Sequence, residues 1–103
     1  MITIRFEWDE MKNVSNQRKH RGLSFEQAAG VFNDPFHLSV QDRVEGGEQR
    51  WQTLGALHNF VIVVVAHTLL EEDADGAAVE VIRIISARQA TRRERERYEN
   101  EMG

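Results

Sequence analysis

The stretch Phe60-Val61-Ile62-Val63-Val64-Val65-Ala66-His67-Thr68 is almost continuously apolar and β-branched. It is far shorter than the ~20 residues that span a bilayer, and branched side chains stiffen it against a helix. It reads as a central strand covered on both faces. Val79 to Ala87 repeats the pattern and reads as a second strong strand, reached through an acidic loop from Glu71 to Ala77 that contains Gly76. On the other side, His58-Asn59 reads as a two-residue turn from a strand over Arg50 to Leu57. Glu45-Gly46-Gly47-Glu48 reads as a further turn, entered from a half-exposed strand over His37 to Asp42 in which Leu38 and Val40 alternate with polar neighbours.

Upstream, Ile2 to Trp8 alternates as an opening strand. Asp9 is a good N-cap and Glu10 suits the positive end of a helix over Glu10 to His20, ended near Gly22, with Met11 and Val14 on one face. Ser24-Phe25-Glu26-Gln27 is a capping box for a second helix carrying Phe25, Ala28, Ala29 and Phe32. Asp34-Pro35 stops it, because the residue before proline avoids the α region. Thr91-Arg92-Arg93-Glu94 opens a terminal helix whose large apolar residues are Tyr98 and Met102. The predicted class is α+β: a meander antiparallel sheet of about four strands, with two N-terminal helices and one C-terminal helix packed on it.

With 103 residues, 41% hydrophobic and 29% charged, the chain reads as one soluble domain over residues 1–103. The absence of cysteine removes disulfides, thiolate catalysis and cysteine-based zinc sites. No signal peptide is visible, so the expected location is cytoplasmic. His20, His37, His58 and His67 lack ligand spacing, and no glycine-rich phosphate loop is present. No metal or cofactor is expected. The net charge is −4, yet residues 1–22 carry five bases and three acids, and residues 88–103 five and four. The middle holds three Arg and ten acids. A basic cleft where the ends meet and a random scatter of surface charge both fit this distribution.

Arg83 sits in Val81-Ile82-Arg83-Ile84-Ile85, among residues that want burial. A guanidinium keeps its proton, so it needs a carboxylate such as Glu48 or Glu80, a cleft, or a bound anion. Arg50 shares a strand face with Gln52 and is expected beside Arg83, where two arginines would grip a phosphate. Arg88 is either a further contact or a helix-flanking surface charge. Lys19-His20 either matches a helix dipole or brings a base to a site. Trp8 and Trp51 read as packing residues rather than base-stacking ones. The terminal helix is polar nearly all round, which suits a solvated helix docked by Tyr98 or a surface for a partner.

The string Phe6-Glu7-Trp8-Asp9, Lys12, Asn16, Lys19-His20, Gly22-Leu23-Ser24-Phe25-Glu26 and Ala28 resembles the opening of the BrnT toxin family. The resemblance continues through Val31-Phe32, Asp34-Pro35, Glu48, Arg50, Leu54-Gly55 and Val63 to Thr68. It closes with Arg83-Ile84-Ile85-Ser86-Ala87-Arg88, Ala90-Thr91, Glu94-Arg95 and Tyr98-Glu99. One departure is Arg21, inserted where the family reads Lys-His-Gly directly. The resemblance implies a RelE-like fold and a ribonuclease toxin. It also implies neutralisation by a BrnA-type antitoxin, a ribbon-helix-helix protein through which operator DNA is bound. A dimer or a toxin–antitoxin heterotetramer is the expected assembly.

RNA cleavage by the strand's own 2′-hydroxyl needs cations on the phosphate and groups to move protons. Arg50, Arg83 and Arg88 are the phosphate candidates. His20, Tyr98 and Glu99 are the proton-transfer candidates, His20 because an imidazole ordinarily titrates near ~6.5. Lys19, Arg92 and Arg95 are candidate RNA contacts. A reading from another class also stands: a non-catalytic module that binds a DNA-binding partner as co-repressor.

Overall fold

The computed structural model describes residues 3–58 and 61–101. Ile2, Phe60 and Met102 lie outside these, as does Asn59 of the turn expected at His58-Asn59. The elements run β1 (Thr3–Trp8), α1 (Glu10–Lys19), α2 (Phe25–Ala28), a 3₁₀ helix (Ala29–Asn33), β2 (Leu38–Glu45), β3 (Glu48–Ala56), β4 (Ile62–Ala74), β5 (Ala77–Gln89) and α3 (Arg92–Glu101).

The expected antiparallel meander is present as β2-β3-β4-β5, but the sheet has a fifth member. β1 lies beside β5 and runs parallel to it, so the sheet is mixed, in the order β1-β5-β4-β3-β2. The crossover through α1 and the second helix carries the chain from β1 at one edge to β2 at the other, and the meander then runs back to β5. A second correction concerns residues 71–77. They form no loop: β4 and β5 stay paired down to Ala74 and Ala77, closed by Asp75-Gly76 alone. Both turn residues have positive φ (53° and 81°), the type I′ geometry that Asp-Gly favours.

Both N-terminal caps form as the sequence indicates. The Asp9 carboxylate accepts from the amides of Met11 and Lys12, and Ser24 and Gln27 satisfy each other's backbone amides. The second helix is shorter than its periodicity suggests, passing after Ala28 into the 3₁₀ helix. Helix α1 departs further from expectation. Met11 is 83% exposed and Val14 43%, while the buried residues of the helix are Asn13 and Asn16. Asn13 accepts from the Phe25 amide at 2.8 Å and donates to Glu26 at 2.7 Å. Asn16 donates to the Ala87 carbonyl at 2.8 Å and accepts from the Ala87 amide at 3.1 Å. Pairing of β1 with β5 stops at Ile84. Beyond it, the Asn16 amide serves the N–H and C=O of Ala87 as a peptide group would.

The helices α1 and α2 and the 3₁₀ helix cover one face of the sheet. Phe25, Ala28, Val31, Val63, Val65, Ile82, Ile84 and Ala87 form its core, with Phe6 and Trp8 packed against them. Trp8 meets Phe25 edge-on, a packing role as expected. The 3₁₀ helix lies tight against β3 at Gly55, where an added Cβ would lie 2.8 Å from Val31. Helix α3 covers only one end of the opposite face, where Tyr98 packs with Leu54, Val64 and Ala90.

Candidate active site

Alternation along the strands assigns each arginine to a face. Leu54 opposes Val64, which opposes Arg88, while Thr68 opposes Arg83. Val64 and Thr68 share the face away from α1 and α2, so Arg83 and Arg88 share it too. Five residues apart, they would lie on opposite faces of a regular strand. An irregularity at Ile85, where the register shifts between Ala66 and His67, brings them together. Arg50 lies on this face with Gln52 and Leu54.

Arg83 is therefore exposed rather than buried, since Ile82 and Ile84 turn to the other side. Glu80 faces away from it, and no carboxylate lies within ion-pair distance among the described residues. Nor is Arg50 its direct neighbour: Trp51 opposes His67 and Thr68 opposes Arg83, so strand β4 runs between the two arginines. At ~4.8 Å per strand their backbones are roughly 10 Å apart, a gap two extended side chains can close around one phosphate. The Arg50 side chain is 24% exposed, lies 3.5 Å from Glu45, and has a buried Nε with no hydrogen-bond partner.

Arg88 is engaged differently. Its guanidinium holds Glu94 with two bonds of 2.7 and 3.0 Å. That hydrogen bonding, against the cost of burial, holds the Glu94 carboxyl down at about 2. Glu94 also accepts from the Thr91 amide as the expected capping box forms, so Arg88 ties the start of α3 to β5.

Between the arginines the floor is small and polar: Ala66 opposes Ser86 on one side and Gln52 on the other. Along the β5 edge, Lys12, Ser15, Asn16, Lys19 and His20 of α1 and its C-cap form a shallow recess with Ile85 and Ser86. The basic residues of this recess all come from the N-terminal end of the chain. The sequence places Lys12 in the family string without a role, although its i, i+7 spacing from Lys19 puts both on one helix face. The extra residue Arg21 is absorbed after His20 with φ at 53°, followed by Gly22 at 81°.

The remaining candidates all belong to α3. Tyr98 is 4% exposed, and its hydroxyl donates to Asp34. Burial and then the Asp34 carboxylate push the phenol up to about 12. Glu99 is exposed on α3. Arg92 pairs with Glu96 at 3.3 Å on the surface, and Arg95 reaches the Ala90 carbonyl at 3.4 Å. A second cleft, of about 700 Å³, lies between the His20–Leu23 turn, Gly30, Asp34 and Leu57, so that His20 borders both hollows. It carries His20, Arg21, Asp34 and His58 but none of the three arginines of the sheet face. Among the described residues no three His, Asp or Glu side chains are placed to hold a metal ion, and no helix is long and apolar enough to cross a membrane.

Comparison with known proteins follows the same lines. No curated protein matches the chain. A solved structure of the Brucella abortus ribonuclease toxin BrnT superposes with a TM-score of 0.53 at 22% identity, covering 89% of this chain and 99% of that one. At that identity the likeness shows a shared fold. The family model described as "Ribonuclease toxin, BrnT, of type II toxin-antitoxin system" matches residues 8–94, which include Arg50, Arg83, Arg88 and the Lys19-His20 pair. The chain belongs to the BrnT family of ribonuclease toxins of type II toxin–antitoxin systems.

Proposed function

We propose that the protein is a metal-independent endoribonuclease whose substrate lies across the sheet face that carries Arg50, Arg83 and Arg88. That shared face is the observation that carries the reading. Arg50 and Arg83 hold the scissile phosphate and offset the charge that grows on it as the 2′-oxygen attacks. The attack forms a 2′,3′-cyclic phosphate and releases a 5′-hydroxyl. His20 and Glu99 are the proton carriers, one taking the 2′-hydroxyl proton and the other supplying the leaving 5′-oxygen. Tyr98, whose proton is committed to Asp34, serves to anchor α3 instead.

Lys19, with Lys12 beside it, and Arg92 and Arg95 on α3 contact phosphates to either side. Arg88 contributes from its pair with Glu94. We infer further that the fold is RelE-like, supported by the antiparallel meander with helices on its faces. The toxin acts in the cytoplasm, inhibits translation and is neutralised by a BrnA-type antitoxin that binds operator DNA. The assembly this reading implies is a dimer or a toxin–antitoxin heterotetramer.

The test is induction of the chain alone in a bacterium, followed by incubation of the purified protein with RNA. Growth arrest relieved by a co-expressed antitoxin, with RNA fragments ending in cyclic phosphate, is the expected result. Normal growth at high soluble expression overturns it and favours the co-repressor reading.

A further inference from the structure

Strands β4 and β5 are thirteen residues each and outrun the rest of the sheet. β3 pairs with β4 only over Ile62–His67, and its remaining residues turn away with β2. From Leu69 to Asp73, β4 therefore has β5 on one side and, among the described residues, nothing paired on the other. In a two-residue hairpin the pair beside the turn is hydrogen-bonded and the pairs alternate from there. Counting from Ala74 and Ala77, the N–H and C=O of Leu69, Glu71 and Asp73 point to the open edge.

Free edges invite pairing, and proteins usually blunt them with bulges, prolines or lysines. The outer strand β2 carries such a bulge between Gln41 and Val44. The β4 edge has none of these, and it presents Leu69 and Leu70, 43% and 58% exposed. Its two faces differ. Glu71 and Asp73 lie on the helix-bearing face, with Glu80 directly opposite Glu71. These three carboxylates have no ion-pair partner among the described residues, whereas Glu72 on the other face is held by Arg5 at 3.2 Å. Like charges opposed across a strand pair are unfavourable until a cation comes between them.

We propose that this edge receives, as an added β-strand, an extended segment of a partner chain that alternates lysine or arginine with aliphatic residues. The cations face Glu71, Asp73 and Glu80, and the aliphatic side chains cover Leu70. A second copy of this chain is the wrong occupant, because edge-to-edge pairing sets Glu71 and Asp73 against their own counterparts. Such a strand ends beside Thr68, between Arg50 and Arg83, so a chain bound here reaches the arginine face. This docking surface is independent of whether the protein cleaves RNA.

The test uses the full chain, isotopically labelled, with the end-capped peptide Lys-Val-Lys-Val-Lys-Val-Lys as probe and amide hydrogen exchange as readout. The peptide is expected to slow exchange at Leu69, Glu71 and Asp73 by about tenfold or more at saturation. Glu71→Lys with Asp73→Lys is expected to weaken binding by about tenfold. Asp73→Lys alone, at the exposed tip, serves should the double variant unfold. Protection appearing on β1 or β2 instead, equal binding of a Glu-Val peptide, protection that grows with protein concentration alone, or no protection at all would each overturn the proposal.

Discussion

The hydroxyl of Tyr98 donates to the carboxylate of Asp34, joining the terminal helix to the loop that ends the 3₁₀ helix. Asp34 also accepts from the amides of Ala56 and Phe36, at 2.8 and 2.9 Å, so three segments converge on one side chain. Tyr98→Phe removes the single bond that α3 makes to this hub. A hydrogen bond to a charged acceptor contributes about 1.5–3 kcal/mol, and two remaining donors soften the loss. A destabilisation of about 1–2 kcal/mol is expected in chemical denaturation. RNA cleavage per folded molecule should survive; its loss in a folded variant would return Tyr98 to the chemistry.

Arg83→Ala separates a catalytic arginine from a structural one. Exposed and unpaired, Arg83 holds no buried carboxylate, so its removal should shift the melting temperature by no more than about 3 °C. Cleavage and toxicity should nevertheless be lost, as in Arg50→Ala. A sharp fall in melting temperature would instead assign Arg83 to the fold.

His67 makes stability depend on acid. It is 3% exposed, accepts from or donates to Thr53 through Nε2 at 2.7 Å, and meets the Thr68 carbonyl through Nδ1. Burial, against the Thr68 carbonyl, holds its pKa below the ordinary 6.5. The unfolded chain therefore binds the proton more readily than the folded one. The contribution is full above pH 6.5 and is lost as pH falls towards the lowered folded value. Thermal melts should show stability declining from about pH 6.5 downward, and His67→Gln should flatten that part of the profile. A parent profile flat between pH 6.5 and 5 would contradict this.

Cleavage should continue in excess chelator, since the proposed chemistry places arginines where a metal would otherwise offset charge. Loss of cleavage in chelator with recovery on added Mg²⁺ or Mn²⁺ would require carboxylates such as Asp42 and Glu48 to be reread as ligands.

The strand through Ile62 to Thr68, the Gly46-Gly47 turn and the three caps could all be read from the sequence because each rests on local chemistry. Residues 71–77 could not, since Glu, Asp and Ala disfavour strands in isolation and long pairing with β5 overrides that preference. The docking face of α1 was hidden for another reason: periodicity detects apolar stripes, and this helix docks through two asparagines. The parallel placement of β1 has no local signal at all. At the site, residue type pointed to the arginines, but the shared face of Arg83 and Arg88 depends on one irregular residue, Ile85, that alternation alone predicts wrongly.

The asparagine docking of α1 has a mechanical consequence. An oily contact lets a helix slide or roll by an ångström at little cost, because dispersion is indifferent to direction. Paired amide bonds tolerate little of either, since their strength depends on angle as well as distance. Asn16 clasps both backbone groups of Ala87, one residue from Arg88 and four from Arg83. The helix that ends in Lys19 and His20 is thereby indexed to the strand that carries those arginines, like a key cut to a single notch.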